Sequence, residues 1–148
     1  MITRSVLLRC SPEEAFRLFT EEASGWWPQS RRHTADPASR LSMLPSGRFW
    51  ERAADGKEVE LGRVLVWEPP RRLVLDFYPG TDPDHPTEVT VLFTAESGGT
   101  RVLIEHRPKP ESEDLWKQRA ERFERSWDAV LEALSKPRER TSSGTPTA

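Results

Sequence analysis

Between Leu41 and His106 the sequence alternates short apolar and polar runs with turn chemistry, and this stretch most constrains the fold. Asp55-Gly56 and Ser97-Gly98-Gly99 supply hairpin residues, and Pro69-Pro70 enforces a tight reversal. Pro79 to Pro86, with three prolines and two aspartates, reads as a longer surface loop. Strands are therefore expected near 41–45, 48–54, 58–67, 72–78, 87–95 and 100–107, each antiparallel to the next. The β-rich run Ile2 to Arg9 brings the expected number to seven.

Successive strand side chains point to opposite faces, so parity sorts inward from outward positions. One face is expected to carry Val59, Leu61, Leu65 and Trp67, then Leu73, Leu75 and Phe77, then Val89, Val91 and Phe93, then Val102, Ile104 and His106. Arg63 shares that parity and interrupts it. Glu58, Glu60, Asp76, Thr90 and Glu105 fall on the other face, as do Val64, Val66, Val74, Leu92 and Leu103.

Two helices frame the strands. Ser11-Pro12-Glu13-Glu14 has the form of a capping box with proline at the first helical position, so a helix starts at Pro12 and presents Ala15, Phe16 and Phe19. Gly25-Trp26-Trp27-Pro28 ends it, or a short helix after it, and the polar stretch 29–40 is expected to be a loop. From Ser112, the expected cap, about 23 residues run without glycine or proline, roughly 34 Å of helix. Its stripe is Leu115, Trp116, Arg119, Ala120, Phe123, Trp127, Val130, Leu131 and Leu134. The fold class expected is α+β: a curved antiparallel sheet gripping a long C-terminal helix, one domain over 1–136, with a disordered tail at 137–148.

Composition narrows the function. A net charge of -2 lacks the footprint of a general nucleic-acid binder, and Arg31-Arg32 and Arg71-Arg72 read as solvated pairs. No run approaches a membrane span. A lone Cys10 and the lack of a signal-like apolar start point to the reducing cytoplasm. Six tryptophans belong mostly to the core, with one or two lining a pocket: Trp26 and Trp27 either both anchor the short helix to the sheet, or one packs inward while the other closes a cavity mouth.

Chemistry-bearing residues are few. His106 has inward parity and either anchors the cavity rim by hydrogen bonds or orients a ligand. Arg63 pairs with a carboxylate, reaches the rim or grips an anionic group. His33 with Asp36, and Asp82 and Asp84 with His85, are metal-ligand types in loops without further converging ligands. Cys10, just before a helix start, reads as structural. No nucleophile elbow, phosphate loop or dinucleotide fingerprint occurs, and no metal or cofactor is expected.

Several motifs, in their order, resemble a known family. They are Ser11-Pro12-Glu13-Glu14-Ala15-Phe16, Trp26-Trp27-Pro28 and Gly47-Arg48-Phe49, followed by Gly62-Arg63-Val64-Leu65 and Glu68-Pro69-Pro70-Arg71-Arg72-Leu73. Gly99-Thr100-Arg101-Val102, Glu105-His106, Ser126-Trp127 and Val130-Leu131 complete the set. Over about residues 2–136 the chain resembles the activator of Hsp90 ATPase homologue 1-like family, within the START-related, birch-pollen-allergen-like SRPBCC superfamily. The resemblance implies a helix-grip fold with a cavity between sheet and C-terminal helix that holds an apolar ligand. It also implies a possible chaperone or regulatory partner.

The resulting expectation is a non-enzymatic binder of a small hydrophobic or aromatic molecule. The expected lining is Trp27, Arg63, Leu65, Trp67, Leu75, Phe77, Val91, Ile104, His106, Phe123 and Trp127. Alternatives are a cyclase or dehydratase on the same fold, for which only His106 and Arg63 offer inward acid-base groups, and a protein-interaction module.

Overall fold

The structure is a computed structural model describing residues 1–34, 36–45, 47–79 and 82–136. The element order is β1 (Ile2–Leu8), α1 (Pro12–Thr20), β2 (Arg40–Met43), β3 (Arg48–Arg52), β4 (Glu58–Glu68), β5 (Arg72–Phe77), β6 (Thr87–Glu96), β7 (Gly99–Pro108) and α2 (Glu113–Ser135), with short 3-10 turns at Ala23–Gly25, Gln29–Arg31 and Pro110–Ser112. All seven strands form one antiparallel sheet in the order β1-β7-β6-β5-β4-β3-β2. The expected fold class is therefore what forms. The tail expected to be disordered, 137–148, lies outside the described residues.

Local chemistry explains the boundaries. The Ser11 side chain accepts the Glu14 N–H at 3.1 Å, satisfying a donor that the start of α1 leaves open. Ser112, expected to cap α2, does something else: its hydroxyl accepts the Lys109 N–H at 3.0 Å and so closes the preceding 3-10 turn. That turn hands the chain directly into α2, so the serine is used one turn early.

The concave face carries the core. Leu73, Leu75, Val89, Val91, Phe93, Val102 and Ile104 are all buried, as parity on β5, β6 and β7 predicts. Above one part of this face α1 sets Phe16 and Phe19 against Phe93 and Trp67, with Phe16 edge-on to Trp67 at 5.2 Å. Each phenylalanine so buried stabilises the fold by roughly 1.5–3 kcal/mol. α2 crosses the sheet on the other side, tied to the edge strand by the Arg4–Asp128 ion pair at 2.8 Å, and buries Phe123, Trp127, Val130, Leu131 and Leu134.

β4 departs from its expected parity. Two register shifts leave Leu61 unpaired against β3 and Leu65 unpaired against β5, and each β-bulge reverses the alternation once. Leu61 is buried, and Val64, opposite Leu75, turns inward. Leu65 becomes 45% exposed, while beyond the second bulge Trp67 returns to the core. Arg63 pairs in register with Arg48 and Asp76 on the convex face and is exposed. The placements of Leu65 and Arg63 on the concave face are thus corrected. Gly62, beside the first bulge, lies so close to β5 that a Cβ there would run into the Asp76 carbonyl oxygen.

The convex face is charged, with Arg48 and Arg52 against Glu58, Arg107 near Glu88, and Lys109 on Asp76 at 2.6 Å. Exposed pairs of this kind add little stability, typically about 0–1 kcal/mol.

Candidate functional site

The stretch 29–40, expected to be a plain loop, is pinned by two charged residues. Glu51 shares parity with Phe49 on β3 and is closed to solvent. Its carboxylate accepts the His33 N–H at 2.7 Å, the Thr34 N–H at 3.0 Å, the Thr34 hydroxyl at 2.7 Å and the Ser39 hydroxyl at 2.8 Å. Burial pushes its pKa up, but these hydrogen bonds outweigh burial and hold it below the usual carboxylate range. Arg32 donates to the carbonyls of Ser24, Trp27 and Ser39, so it is a structural clamp and not the solvated residue expected.

This pinned segment forms one wall of a hollow of about 330 Å³. The sheet contributes Leu61 and Phe77, and α2 contributes Phe123, Trp127 and Val130. Trp27 completes the apolar lining, held by its indole N–H to the Arg31 carbonyl at 3.4 Å. Its neighbour Trp26 turns away, donating to the Leu18 carbonyl at 2.8 Å and packing on Phe19. Ser30, Arg31, Arg32, His33, Arg119, Arg122 and Ser126 supply the polar part; of these Ser30, His33 and Arg122 are exposed and mark the mouth.

Of the residues expected to share one cavity, Trp27, Phe77, Phe123 and Trp127 do line this hollow. Leu75, Val91 and Ile104 lie beneath the packed core and Trp67 lies under α1, so none of them reaches it. Leu65 and Arg63 are on the convex side, for the bulge reason given above. The hollow is displaced from the sheet centre toward β4, the end of β5 and the 29–33 segment.

His106 is inward and fully buried, but behind the wall rather than on it. Trp127 Nε1–H donates to its Nδ1 at 2.9 Å, and an indole nitrogen can only donate. The ring is therefore the neutral tautomer with hydrogen on Nε2, which donates to the Thr87 hydroxyl at 2.7 Å. That hydroxyl donates onward to the Phe77 carbonyl at 3.0 Å. Both ring nitrogens and the Thr87 hydroxyl are thus satisfied, and the ring packs against Phe123 at 4.4 Å and edge-on to Phe77 at 5.5 Å. Burial, aided by the N-terminal charge, pushes the His106 pKa down to about 3. The arrangement holds the aromatic wall in place and leaves the imidazole no free nitrogen for a ligand.

The remaining candidates have structural partners. Asp36 accepts the N–H groups of Ala38 and Ala54, at 2.8 and 2.7 Å, and Asp82 pairs with His85. Among the described residues no three His, Cys, Asp or Glu side chains converge as a metal site would require. No described helix is long and apolar enough to cross a membrane.

Structures of similar architecture are plentiful. A Mesorhizobium loti protein aligns over 96% of this chain and 98% of its own, at 19% identity and a TM-score of 0.63. The Aha1 dimer from Colwellia psychrerythraea aligns over 90% and 92%, at 18% and 0.62. An AHSA1-like protein from Aeromonas hydrophila aligns over 90% and 88%, at 22% and 0.57. At these identities the likeness establishes the fold. No curated protein matches the sequence. The profile of the activator of Hsp90 ATPase homolog 1-like proteins matches residues 9–137, and with the helix-grip sheet and its long C-terminal helix this places the chain in that family, within the SRPBCC superfamily.

Proposed function

We propose that the chain binds a small apolar or aromatic molecule, without transforming it, in the hollow between the sheet and α2. The observation that carries this reading is the hollow itself: about 330 Å³ walled by Trp27, Leu61, Phe77, Phe123, Trp127 and Val130. Small-molecule sites occupy roughly 300–1,000 Å³ and combine apolar walls with a few polar groups. Catalysis of the cyclase or dehydratase kind needs an acid and a base that reach the substrate. Among the described residues the buried titratable side chains Glu51, Tyr78 and His106 are engaged by protein partners, and Arg63 is on the opposite face. His33 lines the hollow at its mouth, where no carboxylate, thiol or phenol is among the lining residues to complete an acid-base pair. A chaperone partner, which the family's description names, would call for a continuous apolar patch. The exposed large apolar side chains among the described residues are Leu7 on β1, Leu65 on β4, and Met1 and Leu44 outside the strands and helices.

The test uses N-phenyl-1-naphthylamine, a neutral probe whose emission rises when it leaves water. The reading predicts saturable binding at one site per chain and its loss in Ser126→Trp, where the new ring fills the hollow from α2 while the melting temperature is kept. A linear, unsaturated rise, or binding indifferent to Ser126→Trp, would refute it.

A further inference from the structure

The apolar reading leaves the charge on the rim unused. Arg31, Arg32, Arg119 and Arg122 all line the hollow, and no aspartate or glutamate is among the lining residues. This is not a by-product of a basic chain, because the net charge is -2. Arg32 is committed to backbone carbonyls. Arg31, Arg119 and Arg122 join none of the ion pairs formed among the described residues, although most exposed arginines of the sheet do. The Arg31 Nε is out of water with no hydrogen-bond partner at all. Asp82, whose titration feels Arg119, already accepts from the Asp84 N–H and pairs with His85.

Like charges around one small space repel, and a buried guanidinium donor without an acceptor is costly. Both penalties vanish when an oxyanion sits among the arginines, whose planar forks match carboxylates and phosphates. Resting on the pocket reading above, we propose that the natural ligand is an amphiphile. Its ring system lies against Trp27, Phe77, Phe123 and Trp127, and its oxyanion head meets Arg31, Arg119 and Arg122 at the mouth.

The experiment compares N-phenyl-1-naphthylamine with 8-anilinonaphthalene-1-sulfonate, which has the same rings plus one sulfonate. The full chain should bind the sulfonate at least about tenfold more tightly, a preference that shrinks at high salt. Arg31→Gln with Arg119→Gln, or Arg122→Gln alone, should reduce that preference by weakening the sulfonate more than the neutral probe. Competition then separates the head groups: 1-naphthoate or 1-naphthyl phosphate should displace the sulfonate far better than 1-naphthalenemethanol, and the stronger of the two identifies the oxyanion. Saturable binding of the neutral probe with no gain for the sulfonate overturns this inference and leaves the pocket reading standing. A gain untouched by the arginine substitutions, or displacement by the alcohol as good as by the acids, overturns it as well. Failure of both probes to bind defeats the pocket reading, and this inference with it.

Discussion

The concave face is covered twice, and the two covers behave differently. Under α1, Phe16, Phe19, Trp67 and Phe93 meet ring to ring and fill the space. Under the middle of α2, Phe77, Phe123 and Trp127 face a hollow on one side and the His106 ring on the other. The residue types are nearly the same. What differs is the third partner: α1 closes its side with two phenylalanines one turn apart, whereas the space beside α2 is bounded by a segment pinned in place by Glu51 and Arg32. Aromatic content therefore does not distinguish a filled core from a hollow; the placement of polar anchors does.

The sharpest way to break this contrast is truncation of one ring on each side. Phe19→Ala, in the filled half, should cost about 3–5 kcal/mol in denaturant unfolding. Phe123→Ala should cost clearly less, since one flank of that ring already lacks packing atoms. Equal losses would mean that the hollow is not open in solution.

Acid should weaken the α2 side first. An unfolded histidine titrates near 6.5, whereas folded His106 titrates at about 3, so between those values the unfolded chain holds a proton that the native one lacks. Stability should then fall as pH falls below about 6.5, by up to roughly 1.4 kcal/mol per pH unit. His33, also lowered by burial, adds to the same slope, and His33→Asn isolates the His106 share. A flat stability profile between pH 6.5 and 5 in His33→Asn would contradict the neutral, fully bonded His106; the histidine range lies above that of the carboxylates.

A smaller effect tests the hydrogen-bonded chain behind the wall. Thr87→Val leaves His106 Nε2–H and the Phe77 carbonyl without their partner and should cost about 1–3 kcal/mol, most of it recovered in Thr87→Ser. Smallest of all is Leu65→Glu. On the bulged strand this side chain is in solvent, so the change in stability should stay within about 0.5 kcal/mol, whereas unbroken parity would bury a charge and unfold the protein.

These substitutions also show how far the sequence could be read. Parity holds along β5, β6 and β7, where Phe77, Val91 and Ile104 turn inward as expected, and helical spacing correctly brings Phe123 and Trp127 to the sheet. It fails on β4 because a bulge adds a residue without any fixed sequence mark. Arg63 was itself the warning: a charge interrupting an apolar face is what a reversed parity looks like. Glu51 had a signal too, since it shares parity with Phe49 and had to be either solvated or fully bonded. The arginine rim had none, because Arg31 and Arg119 are far apart in sequence and meet only through the fold.

The claim that one half of the concave face is a site and the other is core can be tested in a single spectrum series. Amide and methyl shifts of the labelled protein, followed while N-phenyl-1-naphthylamine is added, should move at Leu61, Phe77, Phe123, Ser126 and Val130. Phe16, Phe19, Trp67 and Phe93 should stay still. Shifts concentrated under α1, or spread evenly over both halves, would contradict the account.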